Sequence, residues 1–240
     1  MNNLFVVADA KNDSMTYDSL LFDVDGVLLA FHPDHPTVYR QAVVETFDAF
    51  DVSPEDAHVD AFIAGGTIDE MRRACDDLGI DFGRFWPERE ANTSRLQSGM
   101  MDRGERVPYD DCTVLSDLAA HHDMGVVSSN QHATIEYMLD RFDFDHLFET
   151  AYGREPTVEG FEQTKPETYY IEQAMADLDV TDGLYVGDSA CDVRAAHRAG
   201  LDSAFIRRPH RDGYDLPEDP TYEVESLADL IDLPGVVDSA

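Results

Sequence analysis

Leu20-Leu21-Phe22-Asp23-Val24-Asp25-Gly26-Val27-Leu28 is the stretch on which the reading of the fold turns. A short uncharged apolar run marks a strand covered on both faces, as in a parallel sheet. It ends in two acids one residue apart, and glycine follows at once. Alternation along an extended segment puts Asp23 and Asp25 on one side. Gly26 lets the backbone turn there, leaving both carboxylates at the strand's C-terminal lip. In open α/β sheets ligands bind at that lip. Two neighbouring carboxylates repel unless a cation lies between them, and the hard cation suited to few carboxylates plus phosphate is Mg²⁺.

Working outward, the next stretch with strand character lies far down the chain. Between Ala30 and Arg106 only helical patterns occur: Tyr39, Val43, Phe47 and Phe50 at helical spacing after Pro36, a start at Ser53-Pro54, Thr67 to Leu78 closing at Gly79, and Arg84 to Met101. A βαβ crossover needs only a dozen or so residues, so this block reads as an inserted helical cap over the acidic lip. Residues 30–106 are therefore expected as a cap, 17–29 and 107–240 as the core, and 1–16 as an N-terminal extension. Leu4 to Val7 form a small apolar patch in that extension, and Met15 is a candidate natural start.

From Val107-Pro108 helices and strands alternate. Asp111 to His121 reads as helix, Gly125 to Ser128 as a buried strand ending in Ser129-Asn130, and His132 to Phe142 as helix. Leu147 to Tyr152 follows as a strand, then a turn-rich loop and a helix to Leu178, with Lys165 just outside it. Gly183 to Val186 forms a strand ending in Gly187-Asp188, and its helix carries Asp192 and stops at Gly200. Ala204 to Ile206 and Tyr222 to Val224 close the sheet, the latter at its edge, and Ser226 to Ile231 is a last helix.

The 240 residues hold 50 acids against 17 bases, a net charge of −33. Such a surface repels nucleic acid and anionic membranes, and neither is expected as a partner. The acids are scattered, as in a folded chain bathed in concentrated salt, where charge repulsion is screened within ~3 Å at about 1 M. Lys11 and Lys165 are the only lysines. Cys75, Cys112 and Cys191 are odd in number without a paired spacing, which points to reduced thiols and a cytoplasmic location. No apolar run is long enough to span a bilayer.

Strand ends carrying Asp23, Ser129 and Asp188, with Lys165 nearby, suit attack on phosphorus, which needs a nucleophile, charge neutralisation and a proton donor. Taken singly each has an ordinary alternative: Ser129 as a helix cap, Lys165 as a surface lysine, Asp188 and Asp192 as acids drawn to a helix start. Retaining one lysine there, in a chain that otherwise uses arginine, favours a task for it.

Taken in order, Asp23-Val24-Asp25-Gly26-Val27, Val126-Val127-Ser128-Ser129-Asn130, Lys165-Pro166 and Gly187-Asp188-Ser189-Ala190-Cys191-Asp192 resemble the four motifs of the haloacid dehalogenase superfamily. The resemblance runs from about Tyr17 to Arg208. It implies a Rossmann-like parallel sheet of order 5-4-1-2-3 and a cytoplasmic Mg²⁺-dependent hydrolase acting on a small phosphorylated metabolite. Asp23 would be the nucleophile and Asp25 the acid and base. Ser129, Asn130 and Lys165 would bind phosphate. Asp23, the Asp25 carbonyl and Asp188 would hold Mg²⁺, with Asp192 in support. Asp25 speaks against dehalogenation, since no leaving alcohol would need its proton, and a lysine-free cap speaks against phosphonate cleavage through a Schiff base. Phosphomonoester hydrolysis and sugar-phosphate mutase chemistry remain. From other classes, a phospho-accepting receiver or a silent binding protein would have no use for the cap or for all four motifs. Arg40, Arg72, Arg73, Arg84, Arg89 and Arg95 are candidate contacts for an anionic substrate tail.

Overall fold

Ser19–Phe22 (β2) forms the middle of the sheet because its four side chains are all buried, as an apolar parallel strand requires. The computed structural model describes residues 5–6, 16–30, 35–63 and 66–237. Met15, Leu4, Val7 and Lys11 lie outside them. The other strands are Phe5–Val6 (β1), Asp123–Gln131 (β3), Thr150–Arg154 (β4), Leu184–Gly187 (β5), Asp202–Ile206 (β6) and Tyr222–Val224 (β7). Their order in the sheet is β1-β7-β6-β5-β2-β3-β4. Counted from β2, this contains the expected 5-4-1-2-3 order, with β7 beyond it. β2 pairs in parallel with both β3 and β5, in registers that set Phe22 opposite Val126 and Val186.

β1, in the stretch read as an extension, pairs antiparallel with β7 through Phe5–Glu223 and Val6–Tyr222. Two residues carry too little periodicity to be seen as a strand.

The helices are His35–Ala49 (α1), Asp56–Asp60 (α2), Ile68–Asp77 (α3), Phe82–Asp102 (α4), Leu115–Ala119 (α5), His132–Arg141 (α6), Val158–Glu162 (α7), Tyr169–Asp177 (α8) and Ala190–Arg198 (α9). α1 to α4 gather around their own apolar cluster, in which Phe85 lies 4.5 Å from Phe47 and 5.0 Å from Phe62 between ring centroids. α3 is opened by a Thr67–Glu70 capping box and stops before Gly79 at φ +70°. Two further clusters cover the faces of the sheet, one around Phe22, Val126 and Val186, the other around Leu21, Tyr170 and Tyr185.

Elements differ from expectation where polar side chains compete with the backbone. Asp110–Val114 is a 3₁₀ turn, which shortens the helix expected from Asp111 to α5. The last helix is 3₁₀ as well, over Leu227–Asp232. α7 interrupts the loop before Lys165, capped by Thr157. No described helix is long and apolar enough to cross a membrane. Cys75, Cys112 and Cys191 are free thiols.

Candidate active site

β2 stops at Phe22, and the Asp23 amide still donates to the Val186 carbonyl at 2.9 Å. The chain then folds back on itself: the amides of Leu28 and Leu29 donate to the Val24 carbonyl, and Gly26 adopts φ +80°. A Cβ on Gly26 would lie 2.2 Å from Asp188 Oδ2, so glycine is needed for the turn and for the approach of Asp188. Asp188 stands just past β5, beside the Asp23 end of β2. Ser189 then caps α9, and Asp192 completes a capping box in which its Oδ2 accepts from the Ser189 amide and hydroxyl at 3.0 and 2.6 Å.

These elements close a cavity of about 350 Å³ lined by Asp23, Asp25, Ser129, Asn130, Lys165, Asp188 and Asp192, every one of the expected site residues. One carboxylate oxygen from each of Asp23, Asp188 and Asp192 lies within 4.8 Å of the others. Lys165 Nζ is 3.0 Å from Asp23 Oδ1 and 2.6 Å from Asp192 Oδ1. Its hydrogens are aimed instead at the Tyr185 hydroxyl, 2.7 Å, and the Val127 carbonyl, 3.3 Å. Both carboxylate oxygens are buried and face the ammonium directly.

The electrostatics follow. Burial raises the Asp23 carboxyl from the usual 3.8 to about 6; Lys165 works against that rise, while Asp192 and Asp188 add to it. Burial disfavours the Lys165 charge, but Asp192 and Asp23 outweigh it and hold the ammonium protonated well above the ordinary lysine range. Asp188 is penalised by burial too, yet ends below the usual carboxylate range because its Oδ2 accepts from His210 Nε2 at 2.6 Å and Arg211 Nε at 3.0 Å.

Asp25 is the most open of the acids, its side chain 29% exposed. Its Oδ1 meets the buried Arg106 guanidinium, and its Oδ2 accepts from Asn130 Nδ2 at 2.8 Å. Asn130 was expected on phosphate. Both of its side-chain amide hydrogens are engaged in this structure, one by Asp25 and one by Gln97 Oε1 at 2.9 Å. Gln97 also donates to Asn130 Oδ1 and accepts from Arg106, which makes one buried network reaching from α4 to the lip.

Arg106, Gln97, Tyr185, His210 and Arg211 were not singled out in the sequence. Each reaches the site from a distant segment, and a lone polar residue in such a segment has no spacing to mark it. Tyr185 sits inside an apolar strand and reads as core; only the break in apolarity was visible. Of the arginines considered as contacts for a substrate tail, Arg40 and Arg95 pair with surface acids, Asp56, Asp60 and Glu45, and Arg72 lies over Phe82. Arg89 alone among those three helices' candidates lines a cavity next to the site.

No curated protein matches the sequence. Solved structures share the architecture. CbbY from Rhodobacter sphaeroides in complex with phosphate superposes with a TM-score of 0.63 at 20% identity, covering 91% of this chain and 100% of that one. CbbY in complex with xylulose-(1,5)bisphosphate gives 0.62 at 19%, covering 90% and 96%. YfnB from Bacillus subtilis, bound to magnesium, gives 0.55 at 17%, covering 90% and 98%. At these identities the likeness speaks to fold. The family model for haloacid dehalogenase-like hydrolases matches residues 20–206, from the first residues of β2 to the last of β6, and so takes in all four motifs. With that span matched and those motifs gathered at one lip, the chain belongs to the haloacid dehalogenase-like hydrolase family.

Proposed function

We propose that this hydrolase is a Mg²⁺-dependent phosphatase of small phosphomonoesters that works through an aspartyl-phosphate on Asp23. The observation that carries the reading is the buried meeting of Asp23, Asp188, Asp192 and Lys165 at one cavity. In the proposal an Asp23 carboxylate oxygen attacks phosphorus as the bond to the ester oxygen breaks. Asp25, held by Arg106 and Asn130, gives its proton to the leaving alcohol. The same carboxylate then takes a proton from water as that water attacks the phosphoryl group, and phosphate leaves with Asp23 restored. Lys165 and the Ser129 hydroxyl hold phosphate oxygens.

The residues present fit Mg²⁺. Three hard carboxylates converge, and Asp23 Oδ1 lies buried without a hydrogen-bond donor. Asp23, Asp188 and the Asp25 carbonyl would hold the ion, while Asp192, turned to Lys165 and to the start of α9, would support it. Bound there, Mg²⁺ would offset charge on the phosphoryl oxygens. That CbbY is solved with phosphate and with a bisphosphate, and YfnB with magnesium, supports a phosphorylated substrate and this metal. Residues 30–106 act in this reading as a cap that keeps bulk water from the phospho-enzyme.

The test is release of phosphate from a chromogenic phosphomonoester with Mg²⁺, unaltered chain against Asp23→Asn. We expect a loss of roughly a thousandfold or more on removing the nucleophile; equal rates would remove the assignment.

A further inference from the structure

Past β6 the chain makes a 3₁₀ turn, Pro209–Arg211, whose base is fixed by two arginines. Arg208 donates to the Asp111 carboxylate at 2.6 and 3.0 Å and to the Val27 carbonyl at 2.9 Å. Its guanidinium lies 3.8 Å from the centre of the Tyr109 ring. Arg207 Nη1 donates to the carbonyls of Arg211 and Tyr214, both at 3.0 Å. The turn so held delivers two side chains to one atom: His210 Nε2 and Arg211 Nε meet Asp188 Oδ2 at 2.6 and 3.0 Å. The two differ in their surroundings. His210 is nearly enclosed, its side chain 15% exposed, whereas Arg211 is 28% exposed and lines the reaction cavity. Asp188 takes Nε of Arg211, and among the described residues the two Nη groups donate no hydrogen bond.

A guanidinium and a divalent ion are alternative counter-charges for one carboxylate. A carboxylate oxygen that already accepts from a guanidinium is a weaker metal ligand, and the positive charge beside it repels a second cation. A ring N–H on one oxygen is an ordinary way to fix a ligating carboxylate, so His210 suffices for that task. Arg211 adds a charge that works against the ion. The same side chain carries what a phosphoryl group needs, a planar fork with two unused donor groups at the cavity wall. Four carboxylates, Asp23, Asp25, Asp188 and Asp192, line that cavity against the two cations Lys165 and Arg211. Lys165 is already set between Asp23 and Asp192, which leaves Arg211 as the cation able to change partner.

We propose that Arg211 is a movable cation of the reaction site, for which Asp188 and the phosphoryl group are the two partners. Mg²⁺ competes with Arg211 for Asp188, and the displaced guanidinium turns its Nη groups to the phosphoryl oxygens, where it joins Lys165. His210 is the positioning residue that holds Asp188 through the exchange. The inference rests on the phosphatase reading for the identity of both ligands, and it sets an order in which the ion prepares the phosphate site.

Calorimetric titration of the full chain with Mg²⁺, and then with inorganic phosphate at saturating Mg²⁺, tests it. Molar KCl screens the surface carboxylates, and the same titrations of Asp188→Asn give the surface heat to be subtracted. In Arg211→Gln we expect Mg²⁺ to bind at least about threefold tighter and phosphate at least about tenfold weaker. Opposite signs are what competition and transfer require; an arginine that merely braces the turn would weaken both ligands when removed. His210→Gln should instead weaken Mg²⁺ by about tenfold or more. Arg211→Lys, which keeps the charge, should return both affinities to within about threefold of the unaltered chain. Mg²⁺ binding that is unchanged or weaker in Arg211→Gln, or phosphate binding that is unchanged, overturns the inference. If the unaltered chain binds no more Mg²⁺ than Asp188→Asn, or no phosphate once loaded, the phosphatase reading itself has failed and the inference falls with it.

Discussion

Asp23 is held between opposing influences: burial and two neighbouring acids favour its protonated form, and Lys165 opposes them. An acid whose folded-state value lies above its unfolded one contributes stability that is complete below the unfolded value and is lost as pH rises through the folded value. For Asp23 that window runs from 3.8 to about 6. In the metal-free chain the stability of the unaltered protein relative to Asp23→Asn, which cannot titrate, should therefore fall by up to about 3 kcal/mol between acid and neutral pH. Denaturant unfolding at several pH values measures it, and a difference that stays flat contradicts the assignment of burial as the dominant cause. Saturating Mg²⁺ should recover the relative stability of the unaltered protein at neutral pH, because the ion supplies the missing counter-charge. Arg106 makes a complementary case. It is buried to 2% exposure against an Asp25 that still reaches solvent, so removing it strands a charge that water only partly rescues. Arg106→Leu should cost about 2–4 kcal/mol in thermal or denaturant unfolding. It should also slow turnover through kcat more than KM, since Asp25 loses its orientation rather than the substrate its contacts. A loss confined to KM would place Arg106 in substrate binding instead.

The elements deliver these side chains through local turn chemistry, and that is why so much of the site could be read in advance. An apolar run followed by acid and glycine is a signal contained within a few residues, and it occurs at both Asp23–Gly26 and Gly187–Asp188. The order of the parallel strands around β2 followed from the same signals. Asn130 shows the limit: strand-end position foretold that it would line the cavity, yet its amide is spent on Asp25 and Gln97. That outcome depends on α4 lying across the lip, a packing fact with no trace in the local sequence. The Arg89–Glu90–Arg154 cluster was hidden for the same reason, because Arg154 ends a strand with nothing in its neighbours to mark it. Gly26 is where turn and site depend on each other most directly. Gly26→Ala places a side chain at φ +80° and a Cβ 2.2 Å from Asp188 Oδ2 and 2.9 Å from His210 Nε2. The left-handed conformation alone costs an L-residue about 1–2 kcal/mol, and Asp188 must also move. We expect a destabilisation of at least about 2 kcal/mol together with a roughly tenfold weaker response to Mg²⁺, read from unfolding and from a metal titration of activity. Destabilisation with an unchanged Mg²⁺ response would show that Asp188 can yield without consequence for the metal.

Across the whole molecule the few acids that make the site belong to a large excess of acids over cations. Fifty carboxylates stand against 17 cations. Several of those cations are committed to the interior or to buried pairs: Lys165, Arg89, Arg106, Arg154 and Arg208. Surface pairs such as Arg40 with Asp56 and Asp60, or Arg103 with Glu105, are exposed and contribute little each. The remaining surface is a field of like charges, and its repulsion grows as the chain becomes compact. Screening shortens the reach of that repulsion from about 10 Å at 0.1 M salt to about 3 Å at 1 M, while the buried pairs are screened much less. Molar KCl should therefore stabilise the fold by about 2 kcal/mol or more, a rise in thermal midpoint of roughly 4–8 °C for a chain of this length. Sulfate would be a poor choice for the measurement, because it strengthens apolar burial in any protein. Chloride with potassium isolates screening, and the effect should level off once the Debye length falls below the spacing of neighbouring surface carboxylates. A midpoint that is the same in dilute buffer and in molar KCl would mean that the carboxylates are already far enough apart, or well enough hydrated, for their repulsion not to weigh on folding.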